Sequence, residues 1–197
     1  MEMPLDAADA EDDVLVARFV AGDADAARVL AARHAPRLMA LARRMLRDEA
    51  EAEDVTQEAM LRLWRGGADW RSGEAKLSTW LHRVAANLCV DRLRRRGRMS
   101  PDAPPDMADE APSALAGMVA ADRSAAVRAA LDDLPERQRV AVTLRHFAEM
   151  TNPDIAARME LSVEAVESLI SRGRRGLARA LTPLRAQLGL DGMGAQE

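Results

Sequence analysis

The chain has no tyrosine, two phenylalanines and three tryptophans, so aromatic residues occupy only 3% of its 197 positions, while hydrophobic residues of all kinds occupy 48%. A core must then be built from Ala, Leu, Val and Met, without β-branched or aromatic runs, and that composition predicts an all-α protein with no strands. The single cysteine, Cys89, excludes an internal disulfide framework and offers no metal-ligand spacing. His34, His82 and His146 stand too far apart in sequence to suggest a zinc-like cluster. No stretch approaches the roughly 20 apolar residues that cross a bilayer, and the acidic N-terminus lacks the basic and apolar regions of a secretory signal. The expectation is a cytoplasmic protein without membrane insertion. With no nucleophile–base pair, phosphate loop or metal cluster in view, neither an enzyme nor a cofactor is expected.

Charge is present in quantity but partitioned. The formal net charge is −4, yet "MEMPLDAADAEDD" carries six acids and no base, and "PDAPPDMADEAP" carries four acids, four prolines and no base. Basic residues gather in "RLRRRGR" and "SRGRRGLAR", with five arginines among the seven residues Arg92 to Arg98. Local field, not the sum, decides what a surface attracts.

The Pro/Asp/Ala stretch over 100–116 has no usable period and reads as a linker. The expected organisation is an acidic tail over 1–13, a helical domain over 14–98, an acidic Pro-rich linker over 99–119, a second helical domain over 120–187 and a tail over 188–197. In the first domain, Val14 to Val20 predicts a short helix closed by Gly22. Asp23 can cap a second helix through His34, and Pro36 suits the first turn of a third, "PRLMALARRML". "EAEDVTQEAMLRLWR" predicts a fourth, with acids early and arginines late, as the helix dipole favours. In the second domain, helices are predicted over 120–132, from Pro135, in "NPDIAARM" with Asn152 as N-cap, and from Ser162 onward.

"LSTWLHRVAANLCVDRLRRRGR", set on a 3.6-residue period, places Leu77, Leu81, Val84, Ala85 and Leu88 on one face, with Cys89 at its edge. Lys76, Trp80, Arg83, Asn87, Asp91 and Arg94 fall on another. Arginines suit phosphates, an amide can read a base edge, and an indole can stack on an unpaired base. The plainer alternative is a tryptophan that wraps to the core and arginines that satisfy the helix end.

"NPDIAARM", the turn "ELS" and the helix after it have the grammar of a helix-turn-helix. Ile155, Ala156, Met159, Val166, Leu169, Ile170 and Leu177 are expected inward, with Leu161 filling the turn. Glu164, Glu167, Ser168, Ser171 and Arg172 are left outward where a recognition helix meets base edges, and Arg174, Arg175 and Arg179 follow as phosphate contacts. Glu160 stands where such turns usually hold glycine.

Together these stretches resemble the bacterial sigma-70 family, in particular its small group-IV, extracytoplasmic-function branch. "DVTQEAMLRLWR" is similar to the family's region 2.2, which docks on the clamp helices of the β′ subunit of core RNA polymerase. "LSTWLHRVAANLCVDRLRRRGR" is similar to regions 2.3 and 2.4, which melt and read the −10 element, and the segment from "ALDDLPERQR" to "GRRGLARAL" is similar to region 4, which reads the −35 element. The resemblance implies two small helical domains, a region 2 bundle and a region 4 helix-turn-helix, joined by a flexible acidic linker. It implies core polymerase (β′ clamp helices and β flap), promoter DNA and an anti-sigma factor as partners. It assigns Asp54, Gln57, Glu58 and Leu61 to polymerase. Lys76, Trp80, Arg83, Asn87, Arg94 and Arg95 go to the −10 element. Glu164, Glu167, Ser168, Ser171, Arg172, Arg174 and Arg175 go to the −35 element. "GGADWRSGEAKLS" corresponds to the loop that captures a flipped −10 base, with Leu77 where many relatives carry an aromatic. A stand-alone helix-turn-helix regulator, with the first domain as sensor or dimerisation module, is the competing reading.

Overall fold

The structure is a computed structural model that describes residues 11–66, 76–97 and 121–184. Among them are eight α-helices, one 3₁₀ turn (Thr182–Leu184) and no strand. The helices are α1 (Asp12–Val20), α2 (Ala24–Leu46), α3 (Glu49–Gly66), α4 (Leu77–Arg95), α5 (Ala121–Asp132), α6 (Glu136–His146), α7 (Asn152–Met159) and α8 (Val163–Leu181). Helices α1 to α4 form one unit and α5 to α8 a second.

In the first unit Asp23 caps α2, accepting from the Asp25 and Ala26 backbone N–H groups at 2.9 and 3.3 Å. Its other oxygen accepts from Arg18 Nε at 2.8 Å, which ties the end of α1 to the start of α2. The expected break between His34 and Pro36 is absent: α2 runs through both for 23 residues. An interior proline costs about 3 kcal/mol. Here Leu30, His34, Leu38, Leu41 and Met45 continue one buried stripe past it, and Pro36 itself is exposed. Burial along that stripe, at about 1.5–3 kcal/mol per large apolar side chain, outweighs one lost hydrogen bond.

Arg47, in the left-handed region at φ 52°, ends α2. Asp48 then starts α3, its Oδ1 accepting from the Glu51 N–H at 3.0 Å. Ala52, Val55, Ala59 and Leu63 form the buried face of α3. Trp64 meets Phe19 of α1 with ring centroids 4.8 Å apart. On α4 the buried set is wider than the predicted stripe. Leu77, Leu81, Ala85, Leu88, Cys89, Val90 and Leu93 are all enclosed, Val84 only half so. Cys89 is therefore central rather than marginal. Helix α4 touches both α2 and α3, so its core face has two neighbours to cover.

In the second unit α6 and α8 pack together, with Leu131, Leu134 and Val142 as a core cluster joined by Leu177. Helix α6 begins one residue after Pro135, whose carbonyl accepts the first helical bond, from Arg139 N at 2.9 Å. The cap of α7 is Thr151, not Asn152. The Thr151 hydroxyl oxygen accepts from Asp154 N at 3.3 Å, and Asp154 Oδ2 accepts in return from Thr151 N at 3.3 Å. This reciprocal box satisfies two donors where Asn152 would satisfy one. Ser162 caps α8 as predicted, accepting from Ala165 N at 3.2 Å.

Candidate polymerase and promoter surfaces

On α3 the period that buries Val55, Ala59 and Leu63 leaves the opposite face to solvent. Asp54 and Gln57 are exposed there, and Leu61 is 41% exposed among them. Glu58, half-buried, accepts from Arg62 Nε at 3.1 Å one turn on. The four residues assigned to polymerase thus share one helix face, with a single apolar side chain in a polar surround.

On α4, Lys76 and Arg83 are exposed, and Trp80 and Asn87 are half-buried. Spaced at four, three and four residues, they share one side of the helix, opposite the buried leucines. Trp80 therefore does not wrap into the core. Leu77 does: it is 1% exposed and cannot serve as a wedge at a DNA duplex. Most of the loop between α3 and α4, residues 67–75, lies outside the described residues, as do Arg98 and the acids Asp102, Asp106, Asp109 and Glu110.

The arginine run divides. Arg94 and Arg95 are exposed on the outer side of the last turn of α4. Arg92 and Arg96, four residues apart, turn instead toward the start of α3. Arg96 Nη2 lies 3.1 Å from Asp48 Oδ2 and also contacts Glu51, while Arg92 Nε stands 3.9 Å from Glu51 Oε2. The Glu51 N–H and the Arg96 guanidinium together hold the Asp48 carboxyl below its usual value. Sequence reasoning missed this pairing, because Asp48 and Arg96 are 48 residues apart and no local pattern joins them.

The helix-turn-helix is formed by α7 and α8. Ile155, Ala156, Met159, Val166, Leu169 and Ile170 are buried, and Leu161 half-buried in the turn. Glu160 takes the left-handed conformation itself, at φ 55°, and its N–H donates to the Ala156 carbonyl. The turn is made without glycine. Glu164, Glu167, Ser168, Ser171, Arg172, Arg174 and Arg175 are all exposed along α8, as is Arg179. Two of these acids are already engaged. A hydrogen bond to its own N–H, then one to Ser162, holds the Glu164 carboxyl below its ordinary value. Glu167 accepts from Asn152 Nδ2 of α7 at 3.3 Å. Arg172 Nε donates to the Ser168 carbonyl at 3.3 Å, and Arg175 Nη1 to the Ser171 hydroxyl at 3.2 Å.

Arg139 is a second residue that pattern reading passed over. It is 1% exposed, with Nη1 donating to the Leu134 carbonyl at 2.9 Å and Nη2 lying 3.8 Å from Glu136. It closes the α5–α6 turn beneath the helix-turn-helix. Cys89 is buried, and desolvation pushes its thiol up to about 12, which makes it a small core residue. Among the described residues no group of three or more His, Cys, Asp or Glu is placed to hold a metal, and no helix is long and apolar enough to cross a membrane.

A four-helix unit with a mixed polar and cationic surface, and a second unit built on a helix-turn-helix, define a DNA-binding transcription protein. The sequence matches two family models, Sigma-70 region 2 over residues 30–99 and Sigma-70 region 4 over residues 124–177. It is 34% identical to the RNA polymerase sigma-H factor of Pseudomonas aeruginosa, over 88% of this chain and 95% of that one. It is 38% identical to the ECF RNA polymerase sigma factor SigM of Mycobacterium tuberculosis, over 86% of this chain and 84% of the relative. Among solved structures, that of CnrH in complex with the cytosolic domain of CnrY is similar at 28% identity and a TM-score of 0.49, covering 87% of this chain and 97% of that one. The chain belongs to the sigma-70 family, in its extracytoplasmic-function branch, and is a sigma factor of transcription initiation.

Proposed function

We propose a division of labour among the surfaces described above. The domain over 14–98 takes core polymerase through Asp54, Gln57, Glu58 and Leu61 of α3, on the β′ clamp helices. It takes the −10 element through Lys76, Trp80, Arg83, Asn87, Arg94 and Arg95. The domain over 120–187 meets the β flap and reads the −35 element through Glu164, Glu167, Ser168, Ser171, Arg172, Arg174 and Arg175. The observation that carries this reading is the pairing on the first unit of a polar face around one exposed leucine on α3 with a Lys–Trp–Arg–Asn stripe on α4. Trp80 can stack on an unpaired base, a contact worth about 1–3 kcal/mol, against the few kcal/mol that flipping a base costs.

Glutamates at reading positions accept hydrogen bonds from cytosine N4 and repel phosphate, so the −35 preference includes a cytosine opposite Glu167, the acid oriented by Asn152. The chain acts as a binding subunit without turnover of its own, in the cytoplasm. An anti-sigma factor that covers its polymerase and DNA faces is the partner its family implies.

The test is transcription in vitro from the DNA upstream of the chain's own gene, with and without core polymerase. A discrete transcript that needs both proteins is expected. Leu61→Arg should abolish core binding, and Trp80→Ala should leave core binding intact while reducing open complexes. Tight binding of duplex promoter by the chain alone, with no transcript, would instead make it a stand-alone regulator.

A further inference from the structure

The arginine run at the end of α4 contains two kinds of residue. Arg94 and Arg95 are exposed, whereas Arg92 and Arg96 project from the other side of the same turn onto carboxylates of a different helix. Asp48 uses both of its oxygens: Oδ1 caps α3 by accepting from the Glu51 N–H at 3.0 Å, and Oδ2 accepts from Arg96 Nη2 at 3.1 Å. Glu51, in the first turn of α3, lies against both Arg96 and Arg92. The backbone at this corner is constrained too. Arg47 is held left-handed just before Asp48, and Gly97 takes φ 73° just after Arg96, where a side chain would be strained. Two acids and two arginines therefore fasten the last turn of α4 to the first turn of α3.

The geometry points to Arg92 and Arg96 as positioning residues rather than DNA contacts, forming with Asp48 and Glu51 a strut that sets the −10-facing end of α4 in register with the polymerase-facing helix α3. This rests on the assignment of α3 to polymerase and α4 to the −10 element. The physical consequence is twofold. Two of the cations in the run are neutralised locally and add little to the attraction for phosphate. Exposed Arg94 and Arg95 are carried on a helix end that three cross-helix ion pairs keep from fraying, so they meet DNA at a distance fixed by the polymerase-bound helix. Single exposed ion pairs contribute little to stability, but one guanidinium nitrogen shared between two carboxylates in a network of four charges restricts geometry.

The two roles separate in the salt dependence of open-complex formation. Removing one cation from its phosphate lowers the steepness of log K against log salt concentration by about 0.7 to 0.9. The experiment uses holoenzyme assembled from core polymerase and full-length chain, with competitor-resistant promoter complexes measured across a potassium chloride series. Arg94→Ala and Arg95→Ala should each lower the slope by that amount. Arg92→Ala and Arg96→Ala should leave the slope unchanged while reducing open complexes severalfold at every salt concentration. Glu51→Ala removes an acid and no cation: as a member of the strut it should reduce open complexes as Arg96→Ala does, with the slope unchanged, whereas an arginine that contacts DNA would bind it more tightly once freed of its acid. Glu51→Ala also stays informative if Arg96→Ala loosens the domain. A slope for Arg96→Ala as shallow as that for Arg94→Ala, with open complexes undiminished in Glu51→Ala, would overturn the strut. Unchanged slopes in Arg94→Ala and Arg95→Ala would overturn the −10 assignment itself, and the division of the run with it.

Discussion

His34 shows how much a single side chain depends on surroundings that its neighbours in sequence do not reveal. It lies on the buried stripe of α2 with Nε2 3.0 Å from Asp12 Oδ2 of α1, and Arg33 beside it also reaches Asp12. Burial lowers its affinity for a proton below the ordinary value of 6.5. The Asp12 carboxylate opposes that shift, and Arg33 and Arg37 add to it. The sign follows from linkage. Below about pH 6.5 the unfolded chain takes up a proton that the native histidine resists, so stability is full above that pH and falls as pH drops toward the native value. Thermal melts of the wild type should lose more stability on acidification from pH 6.5 downward than melts of His34→Gln, in which that titration is gone. Parallel curves for the two proteins would remove His34 as the cause. Glu160 makes a related point about turns. Glycine is favoured in the left-handed region because a side chain there costs about 1–2 kcal/mol, yet the Glu160 N–H bond to Ala156 and the buried Ile155, Ala156 and Met159 hold that conformation.

At the scale of elements, the contact between α6 and α8 turns on two glycines with different surroundings. A Cβ on Gly173 would stand 2.6 Å from Val142 Cγ2 and 3.4 Å from the Gln138 carbonyl oxygen. Val142 is buried and β-branched, so it has no free rotamer to give, and the helices would have to move apart. A Cβ on Gly176 would meet only Leu134 Cδ2, at 2.7 Å, the end of a flexible side chain. Gly173→Ala should therefore destabilise the second unit by about 1–3 kcal/mol. Gly176→Ala should cost far less, because replacing a mid-helix glycine by alanine gains up to about 1 kcal/mol. Urea denaturation of the two variants decides it. Equal losses would mean that Leu134 is as immovable as Val142.

For the whole molecule the question is why a chain of net charge −4 binds nucleic acid. Cations gather at the end of α4 and along α8, while acids crowd the N-terminus and the segment between the two units. An acidic segment is attracted to any cationic surface that otherwise holds nucleic acid, and so can compete for it. Replacing Asp102, Asp106, Asp109 and Glu110 by their amides should then change the ratio of abortive to full-length transcripts made by the holoenzyme. An unchanged ratio would leave the segment as a spacer.

The sequence by itself determined the helical class, the two units and the faces of α3 and α8, because each rests on a period of 3.6 residues within one helix, and a helix displays its own pattern. It also carried the ordered motifs by which the family was recognised. Only the tertiary structure decided that α2 continues through Pro36, where the buried stripe on both sides outweighs the local penalty. Only it set Cys89 in the middle of the core rather than at its edge and divided the arginine run. Those outcomes depend on side chains distant in sequence meeting across helices: Asp48 finds Arg96 because α3 and α4 are packed together. Periodicity tells which way a residue faces, but packing decides what it faces.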